Sequence, residues 1–318
     1  MTRWTHSDIP SQDGRIAIVT GTGGLGYETA LALARAGAEV ILAGRNADKG
    51  FEALRRIRDA ATHAIVSFEL LDLADLASIT AFAERLGLQR DRIDLLVNNA
   101  GVMAPPRRKV TADGFELQLG TNYLGHFALT GQLLPLLCNG RDARVVTLSS
   151  VAAPSGRIDF ADLNAKKRYK AFDVYAQSKL ACLMFALELQ RRAEAAGWPV
   201  RSMAAHPGIS RTDLLHNGMG RLSAHGLVRS ALPFLFQPTV QGALPTLYAA
   251  TAPQAEGGAY YGPDRLAGLR GHPTLAKVPQ QAQDGAMARR LWSESEVMTG
   301  IRFGQPALIV RGGIALQA

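Results

Sequence analysis

Cysteine is scarce in this sequence: only Cys138 and Cys182 occur, and neither lies in a Cys-x-x-Cys pair or at a Cys/His spacing typical of metal sites. A disulfide framework and a zinc site are therefore not expected. Long apolar runs are also missing, since no stretch approaches the roughly 18 uninterrupted apolar residues that a membrane span needs. The polar segment from Met1 to Gln12 contains no apolar run of signal-peptide length. These absences predict a cytoplasmic protein with no membrane span.

The net charge of +8, from 35 lysines and arginines against 27 acidic residues, is not concentrated in a basic stripe. Its tight clusters are limited to residues 107–109 and 166–168, whereas a nucleic-acid-binding protein usually carries a basic face or a recognisable motif. We therefore expect no nucleic-acid partner and interpret the excess as a solvated surface that attracts anionic ligands. Hydrophobic residues make up 47% and charged residues 19% of the chain, which predicts a globular fold.

Short β-branched runs alternate with longer amphipathic segments, a pattern typical of a parallel sheet with helices on both faces. Strands are predicted at residues 15–20, 38–43, 64–70, 93–97, 143–148 and 200–205, with a weaker one at 258–261. Helices are predicted at residues 24–36, 48–61, 75–86, 111–137 and 174–196. The βαβαβ pattern occurs twice, so the predicted class is α/β: a Rossmann-type, doubly wound parallel sheet of about seven strands.

We expect a single domain over residues 1–318, with a core at 15–263 and a C-terminal extension at 264–318 that contains an amphipathic helix at 284–299. Two long segments, 152–173 and 206–238, emerge at the carboxyl edge of the sheet, where ligands bind in this architecture. The part at 209–238 is rich in leucine and predicts a lid. Its apolar side chains either contact a lipophilic alcohol, ketone or aldehyde or pack onto the body of the domain.

The loop after the first predicted strand is rich in glycine. Gly21, Gly23 and Gly26 match G-x-G-x-x-G directly between a strand and a helix. A pyrophosphate needs bare backbone and a helix N-terminus that faces it, and this context supplies both. The predicted dinucleotide contacts in this loop are Gly21, Gly23, Gly24, Leu25 and Gly26.

The second predicted strand ends in Ala43-Gly44-Arg45-Asn46 and has no acidic residue there. An NAD enzyme places Asp or Glu at this point to bind the ribose 2′-hydroxyl. The guanidinium of Arg45 instead suits a 2′-phosphate, so the sequence favours NADP(H) over NAD(H). The alternative is an ordinary surface arginine at the start of a helix.

Tyr175 and Lys179 lie four residues apart at the start of a predicted helix, so both project from one face. A lysine ammonium near a phenol stabilises the phenolate, which lets the tyrosine act as general acid and base. Ser149 and Ser150 end the fifth predicted strand, where a hydroxyl can bond a substrate carbonyl. Asn122 stands inside a helical run, where asparagine is unfavourable unless it has a local role.

These motifs, in this order over about residues 15–262, resemble those of the short-chain dehydrogenase/reductase family. The resemblance implies that Tyr175 is the general acid and base, and that Lys179 activates it and holds the nicotinamide ribose. It implies that Ser150 orients the substrate carbonyl and that Asn122 holds a water linking Lys179 to a proton relay. Further cofactor contacts implied by the resemblance are Asp72, Leu73, Asn99, Ala100, Gly101, Pro207, Gly208, Ile209 and Thr212.

Within the family, the sequence resembles the retinol dehydrogenase and WW-domain oxidoreductase-like branch at residues 27–30 and 122–127. This resemblance implies hydride transfer between the nicotinamide and a carbonyl/alcohol pair. Many members form dimers or tetramers, so a homo-oligomer is a candidate assembly. The glycine loop departs from the family pattern T-G-x-x-x-G-x-G, because it has one residue fewer between Gly21 and Gly24. We therefore expect a tighter or rearranged pyrophosphate turn.

Two other functions stay open on the sequence alone. A carbon–carbon double-bond reductase of the protochlorophyllide kind uses the same tyrosine and lysine. A non-catalytic nucleotide sensor on this fold would lack one of the two, and this chain has both Tyr175 and Lys179. His126 and His206 are interpreted as structural, because the tyrosine and lysine already supply the acid/base chemistry.

Overall fold

The computed structural model describes residues 3–210 and 237–304. Its strands are β1 (Ile16–Thr20), β2 (Glu39–Gly44), β3 (Val66–Leu70), β4 (Leu95–Asn98), β5 (Ala143–Leu148), β6 (Val200–Ala205), β7 (Tyr260–Arg265) and β8 (Arg270–Leu275). They form one sheet in the order β3-β2-β1-β4-β5-β6-β7-β8. Neighbours are parallel from β3 to β7, and β8 is antiparallel to β7. The strand order reverses between β1 and β4, which creates a ligand-binding crevice at the carboxyl ends of these strands.

The central strands are almost continuous apolar segments, because helices cover both faces of the sheet. Every residue of β1 and of β5 is buried. The sheet was predicted from these apolar runs, and the doubly wound α/β class is confirmed. The eighth strand was not predicted because β8 contains Pro273, which interrupts a strand pattern. Proline is tolerated on an edge strand such as β8, where Pro273 lies opposite Pro263 of β7.

The helices lie between the strands along the chain: α1 (Gly24–Arg35), α2 (Ala47–Ala60), α3 (Leu76–Gln89), α4 (Gly125–Cys138), α5 (Ala171–Ala196), α6 (Thr239–Thr251) and α7 (Gly285–Thr299). Three of them begin at a side-chain cap: Asn46, Asp75 and Asp284 accept first-turn N–H groups of α2, α3 and α7. Helix α5 ends at Gly197, whose φ of +68° suits a glycine C-cap. None of the helices in the described ranges has both the length and the apolar character needed to cross a bilayer.

Two apolar layers attach the helices to the sheet. On one face, α1, α2 and α6 bury residues such as Leu33, Ile57 and Leu247. On the other face, α3, α4, α5 and α7 pack around large aromatic side chains. Trp292 of α7 stacks on Phe185 of α5, with a centroid distance of 5.7 Å. The C-terminal extension therefore contributes a fully buried tryptophan to the main core.

The predicted helix at residues 111–137 begins too early and is corrected by the structure. Val110 pairs with Glu116 in an isolated antiparallel bridge, and helical backbone begins only at residue 117. The Glu116 carboxylate accepts the N–H groups of Gln118 and Leu119 at 2.9 and 2.8 Å, which caps the helix at this point. A π-helical turn over Leu119–Leu124 then leads into α4, and such wide turns often lie at functional sites.

Helix α6 is an element that the sequence did not predict. It contains Gly242 and Pro245, both of which are unfavourable inside helices. Tertiary packing explains the glycine, because a Cβ at residue 242 would overlap Ser210 Oγ and come within 3.0 Å of Leu25. The close approach between α6 and the start of α1 therefore outweighs local propensity.

Candidate active site

A cleft of about 800 Å³ opens at the carboxyl edge of the sheet. Its lining includes most of the predicted cofactor residues: Gly21, Gly23, Gly24, Leu25, Arg45, Asp72, Leu73, Asn99, Ala100 and Gly101. These residues follow β1, β2, β3 and β4. The parallel topology therefore brings four loops, widely separated in sequence, into one site.

Gly26 lies beneath the loop rather than in the lining of the cleft. A Cβ at this position would overlap the carbonyl oxygen of Gly21 and come within 2.6 Å of Asn99 Nδ2. Helix α1 therefore packs against the end of β1 more closely than any side chain would allow. Gly21 has a φ of +92°, a left-handed conformation that glycine adopts without strain. The shortened loop is thus a tight turn with close helix–strand packing.

Asn99 holds this turn in place from the end of β4. Its side-chain amide donates to the carbonyl oxygen of Thr20 at 2.7 Å, and its backbone N–H donates to Thr20 Oγ1 at 2.9 Å. The backbone N–H of Ala100 donates to the same hydroxyl at 3.0 Å. The predicted cofactor-lining asparagine therefore also fixes the ends of β1 and β4 relative to each other.

Basic side chains surround the end of β2. Arg45 is exposed there and lines the cleft together with Lys49 and Arg56 of α2. Arg56 also stacks over the ring of Tyr27, with its guanidinium carbon 4.2 Å from the ring centroid. Lys49 and Arg56 were not among the predicted cofactor residues, although their spacing of seven residues on a helix after β2 puts them on one face. Glu52, which also lines the cleft, lies between them.

The described residues fit a dinucleotide on three observations. The bare backbone at Gly21 and Gly26 forms a cradle that a Cβ would fill. No side chain caps the N-terminus of α1, and its first residues Gly24 and Leu25 line the cleft, so the start of the helix can bind an anion there. Thr121, which lines the cleft, has a buried hydroxyl with no hydrogen-bond partner among the described residues. A polar ligand in this cleft would satisfy that hydroxyl.

The predicted catalytic side chains meet where α5 crosses the end of β5. Lys179 Nζ donates to the carbonyl oxygen of Leu148 at 3.0 Å, which fixes the ammonium at the strand end. Ser149 Oγ donates to the carbonyl oxygen of Lys179 at 2.8 Å. The next residue, Ser150, accepts the N–H of Ala152 at 3.2 Å. The geometry therefore places Lys179 and Ser150 at one edge of the sheet, where Tyr175 packs with Ala152.

Asn122 bridges the loop after β4 and the start of α5. Its side chain accepts the N–H of Val102 at 2.7 Å and donates to the carbonyl oxygen of the same residue at 2.9 Å. The amide also donates to Ser178 Oγ at 2.9 Å, and that hydroxyl donates to the carbonyl oxygen of Tyr175 at 2.8 Å. Asn122 thus positions the turn that carries the tyrosine.

Apolar side chains surround Tyr175. Tyr175 packs with Ala152, Ala176 and Met103, and its ring lies 6.2 Å from that of Phe172. Phe172 is 42% exposed and Val151 is 36% exposed. Phe172 therefore adds an exposed aromatic side chain next to Tyr175.

The segment after β6 lies at the same edge of the sheet. Ile209 N–H donates to the carbonyl oxygen of Leu269 at 2.8 Å, and Gly208 has a φ of +63° that its close approach to Leu269 requires. Pro207 accepts hydrogen bonds from Ser210 and Gln237, so the two ends of the predicted lid meet here. Thr212 and residues 211–236 of that lid lie outside the described residues.

Two histidines near the site are buried and neutral near pH 7. Burial lowers the pKa of His126 to about 4, and the nearby Lys179 charge adds to this effect, while a bond to the Asn122 carbonyl opposes it. Burial also lowers the pKa of His206 to about 4. Within residues 3–210 and 237–304, no group of three His, Cys, Asp or Glu side chains is arranged to hold a metal ion.

The sequence matches the profile of the short chain dehydrogenases over residues 15–219, which include the cleft and Tyr175. Polyprenol dehydrogenase of Mus musculus is 43% identical over 309 residues, which cover 93% of this chain and 87% of that protein. Retinol dehydrogenase 13 of Mus musculus is 42% identical over 297 residues, which cover 91% of this chain and 84% of that protein. Among solved structures, an uncharacterized protein from Mycobacterium Paratuberculosis is similar with a TM-score of 0.80 and 42% identity, covering 96% of this chain and 100% of that one.

Proposed function

The chain belongs to the short-chain dehydrogenase family and to its retinol dehydrogenase-like branch, and on that premise we propose that it is an NADP(H)-dependent oxidoreductase of lipophilic alcohols and carbonyl compounds. The observation that carries this proposal is the arrangement at the end of β5. Lys179 Nζ bonds the Leu148 carbonyl oxygen, two residues before Ser150, and lies 3.7 Å from a Cβ built on the cleft-lining Gly101, while Tyr175 packs with Ala152. The family uses a nicotinamide cofactor. For this chain we further propose NADP(H) as that cofactor, lipophilic alcohols and carbonyl compounds as substrates, and the following roles for the site residues.

Bound NADPH supplies a hydride to the carbonyl carbon in the reductive direction. Tyr175 is the proposed acid, which delivers its phenolic proton to the carbonyl oxygen and takes it back in the oxidative direction. Its hydroxyl has no hydrogen-bond partner among the described residues, so it is available to a substrate. The hydroxyl of Ser150 donates to the same substrate oxygen and orients the carbonyl.

Lys179 holds a fixed positive charge next to this reaction. One of its three N–H donors is used by the Leu148 carbonyl, which leaves two for the nicotinamide ribose and the tyrosine. A charge that is already oriented needs no reorganisation when the phenolate forms, so it stabilises that state effectively. Asn122 supports this arrangement by holding the Ser178 hydroxyl against the carbonyl oxygen of Tyr175.

The preference for NADP(H) rests on charge at the end of β2. Arg45, Lys49 and Arg56 line the cleft, whose lining also includes the carboxylates of Glu52 and Asp72. A 2′-phosphate carries the negative charge that such a group of cations attracts, and a guanidinium binds it through paired donors. NAD(H) has no 2′-phosphate and would leave these cations without that partner.

The lipophilic substrate class rests on the side chains around Tyr175. Met103 and Ala152 pack against the tyrosine, and the exposed Phe172 and Val151 extend the apolar surface. The two relatives named above are a polyprenol dehydrogenase and a retinol dehydrogenase, whose names denote apolar alcohols. An apolar approach to a polar reacting edge is the arrangement that such a substrate needs.

The proposal is tested by titrating the protein with NADPH and NADH while nicotinamide fluorescence is followed. We expect Arg45→Asp to weaken NADPH binding by roughly ten- to a hundredfold, because a charge-assisted hydrogen bond contributes about 1.5–3 kcal/mol. Arg55→Asp is the matched control, since Arg55 lies on α2, the helix that follows Arg45, is exposed and pairs with Asp59 instead of lining the cleft.

Equal binding of the two nucleotides, unchanged by Arg45→Asp, would contradict the NADP(H) preference. Absence of binding to either nucleotide would contradict the cofactor role and, with it, the proposed reaction. A loss of NADPH affinity in the Arg55 control as large as that in the Arg45 variant would assign the effect to overall charge rather than to a phosphate contact.

A further inference from the structure

His126 forms hydrogen bonds to two parts of the site that are far apart in sequence, Thr20 at the end of β1 and Asn122 before α4. Its Nε2 lies 2.9 Å from Thr20 Oγ1, and its Nδ1 lies 2.9 Å from the carbonyl oxygen of Asn122. The ring is almost completely buried, with 1% of its surface exposed. The roles proposed above for the catalytic residues do not use this histidine.

The direction of both hydrogen bonds follows from the partners. A carbonyl oxygen only accepts, so Nδ1 of His126 carries the proton and donates to Asn122. The neutral ring then has a bare Nε2, which accepts from the Thr20 hydroxyl. Thr20 Oγ1 already accepts the N–H groups of Asn99 and Ala100, so its proton is the part left to donate. His126 Nε2 at 2.9 Å is a nearer acceptor than the Val97 carbonyl oxygen at 3.3 Å. The tautomer with the proton on Nδ1 therefore satisfies both ring nitrogens of His126.

A continuous path of hydrogen bonds runs through this ring. It begins at Thr20, where the glycine loop starts, and passes through His126 to the backbone of Asn122. The Asn122 side chain continues it to Ser178, whose hydroxyl bonds the carbonyl oxygen of Tyr175. Cys182 Sγ donates to the same Asn122 carbonyl at 3.1 Å and so occupies the second lone pair of that oxygen.

We infer that His126 is a positioning residue that couples the cofactor loop, through Thr20, to the turn carrying Tyr175, through Asn122. The inference rests on the proposed function, since it assigns a role within that reaction. Each end of the ring controls a different step: the Nε2 bond fixes the loop that binds the nucleotide, and the Nδ1 bond fixes the backbone that orients the tyrosine. Loss of either bond breaks a buried link between two segments of the site.

Two substitutions separate the two ends. His126→Asn places an amide near the position of Nδ1, where it keeps the bond to Asn122 but does not reach Thr20. His126→Gln places its amide near Nε2, where it keeps the Thr20 partner and loses the bond to Asn122. With NADPH and all-trans-retinal as probes, we expect His126→Asn to raise the NADPH dissociation constant roughly tenfold with kcat nearly unchanged. We expect His126→Gln to lower kcat roughly tenfold with NADPH affinity nearly unchanged.

Tyr123→Phe is the matched control for a purely structural role. Tyr123 is adjacent to Asn122, is equally buried and bonds Ser295 at 2.6 Å on the side of the core away from the site. Its removal deletes a buried hydrogen bond of the same turn, so we expect thermal stability to fall while NADPH affinity and kcat stay at the native level.

The inference is overturned if both His126 variants change NADPH affinity and kcat by the same factor, or if neither differs from Tyr123→Phe. The native protein distinguishes this result from failure of the proposed function. A native chain that binds no NADPH, or binds it and reduces no aldehyde in a substrate panel, contradicts the proposed function itself. Native binding and turnover without a split between the two variants contradict only the role of His126.

Discussion

At Gly26, helix propensity and helix packing predict opposite effects of an added methyl group on stability. Alanine inside a helix is favoured over glycine by about 1 kcal/mol, so propensity alone predicts that Gly26→Ala stabilises α1. The new Cβ, however, would overlap the backbone oxygen of Gly21 and come within 2.6 Å of Asn99 Nδ2. Because the first of these atoms is backbone, a side-chain rotation does not relieve the overlap. Overpacking of this kind costs about 1–3 kcal/mol and sometimes more.

We therefore expect the cost of the overlap to exceed the gain in helix propensity. Gly26→Ala should then lower the melting temperature by a few degrees, at about 2–4 °C per kcal/mol for chains of roughly this size. NADPH affinity should fall as well, since α1 must move away from the loop that binds the pyrophosphate. Gly87→Ala is the control, because this glycine of α3 has no heavy atom within 4 Å of an added Cβ.

Thermal melts followed by circular dichroism measure both variants, and nicotinamide fluorescence measures the affinity. The account predicts opposite signs: a lower melting temperature for Gly26→Ala and an unchanged or higher one for Gly87→Ala. A Gly26 variant that melts at or above the native temperature and binds NADPH normally would refute the close packing described for α1.

Two further predictions concern stability. Trp292→Ala should lower the free energy of unfolding in chemical denaturation by about 3–5 kcal/mol, because residue 292 is 1% exposed and its ring centroid lies 4.5 Å from that of Phe303 and 5.0 Å from that of Phe127. The control Leu88→Ala, at an 89% exposed site, should change stability by less than about 0.5 kcal/mol. Equal effects of the two substitutions would contradict the packing of α7. Stability should also fall as the pH drops from about 6.5 toward 4, because burial lowers the pKa values of His126 and His206 to about 4 in the folded state and the unfolded chain then binds more protons. The slope from two such groups approaches about 2.7 kcal/mol per pH unit, and urea midpoints that stay constant between pH 6.5 and 5 would contradict it.

Local patterns in the sequence were sufficient for the sheet and for much of the site. The apolar runs at β1 and β5 are continuous because both faces of these strands are buried. The spacing of Tyr175 and Lys179 predicted a shared helix face, and the structure brings both residues to the end of β5. Glycines between a strand and a helix likewise predicted the cleft.

Features that depend on long-range packing were not predictable in this way. Helix α6 contains Gly242 and Pro245, both of which disfavour a helix locally, and it is packed against α1 at Gly242 and buried in the core at Leu244 and Leu247. The early start assigned to the helix at residues 111–137 was wrong because Glu116 forms a bridge and then caps the helix later in the chain. The His126 path joins residues on β1 and α4 that no local motif relates. The domain limits, the oligomeric state and the cytoplasmic location stay predictions.

The fate of the transferred hydrogen shows whether the hydride goes to a carbonyl carbon and whether Tyr175 supplies the proton. The protein is incubated with NADPH deuterated at the transferable position of the nicotinamide and with all-trans-retinal, and the product is analysed by mass spectrometry and NMR. The account predicts one deuterium on the carbon that bears the new hydroxyl group, with product formation reduced at least a hundredfold in Tyr175→Phe, as expected for loss of a general acid. Deuterium on a carbon of a former carbon–carbon double bond, or full activity in Tyr175→Phe, would contradict it.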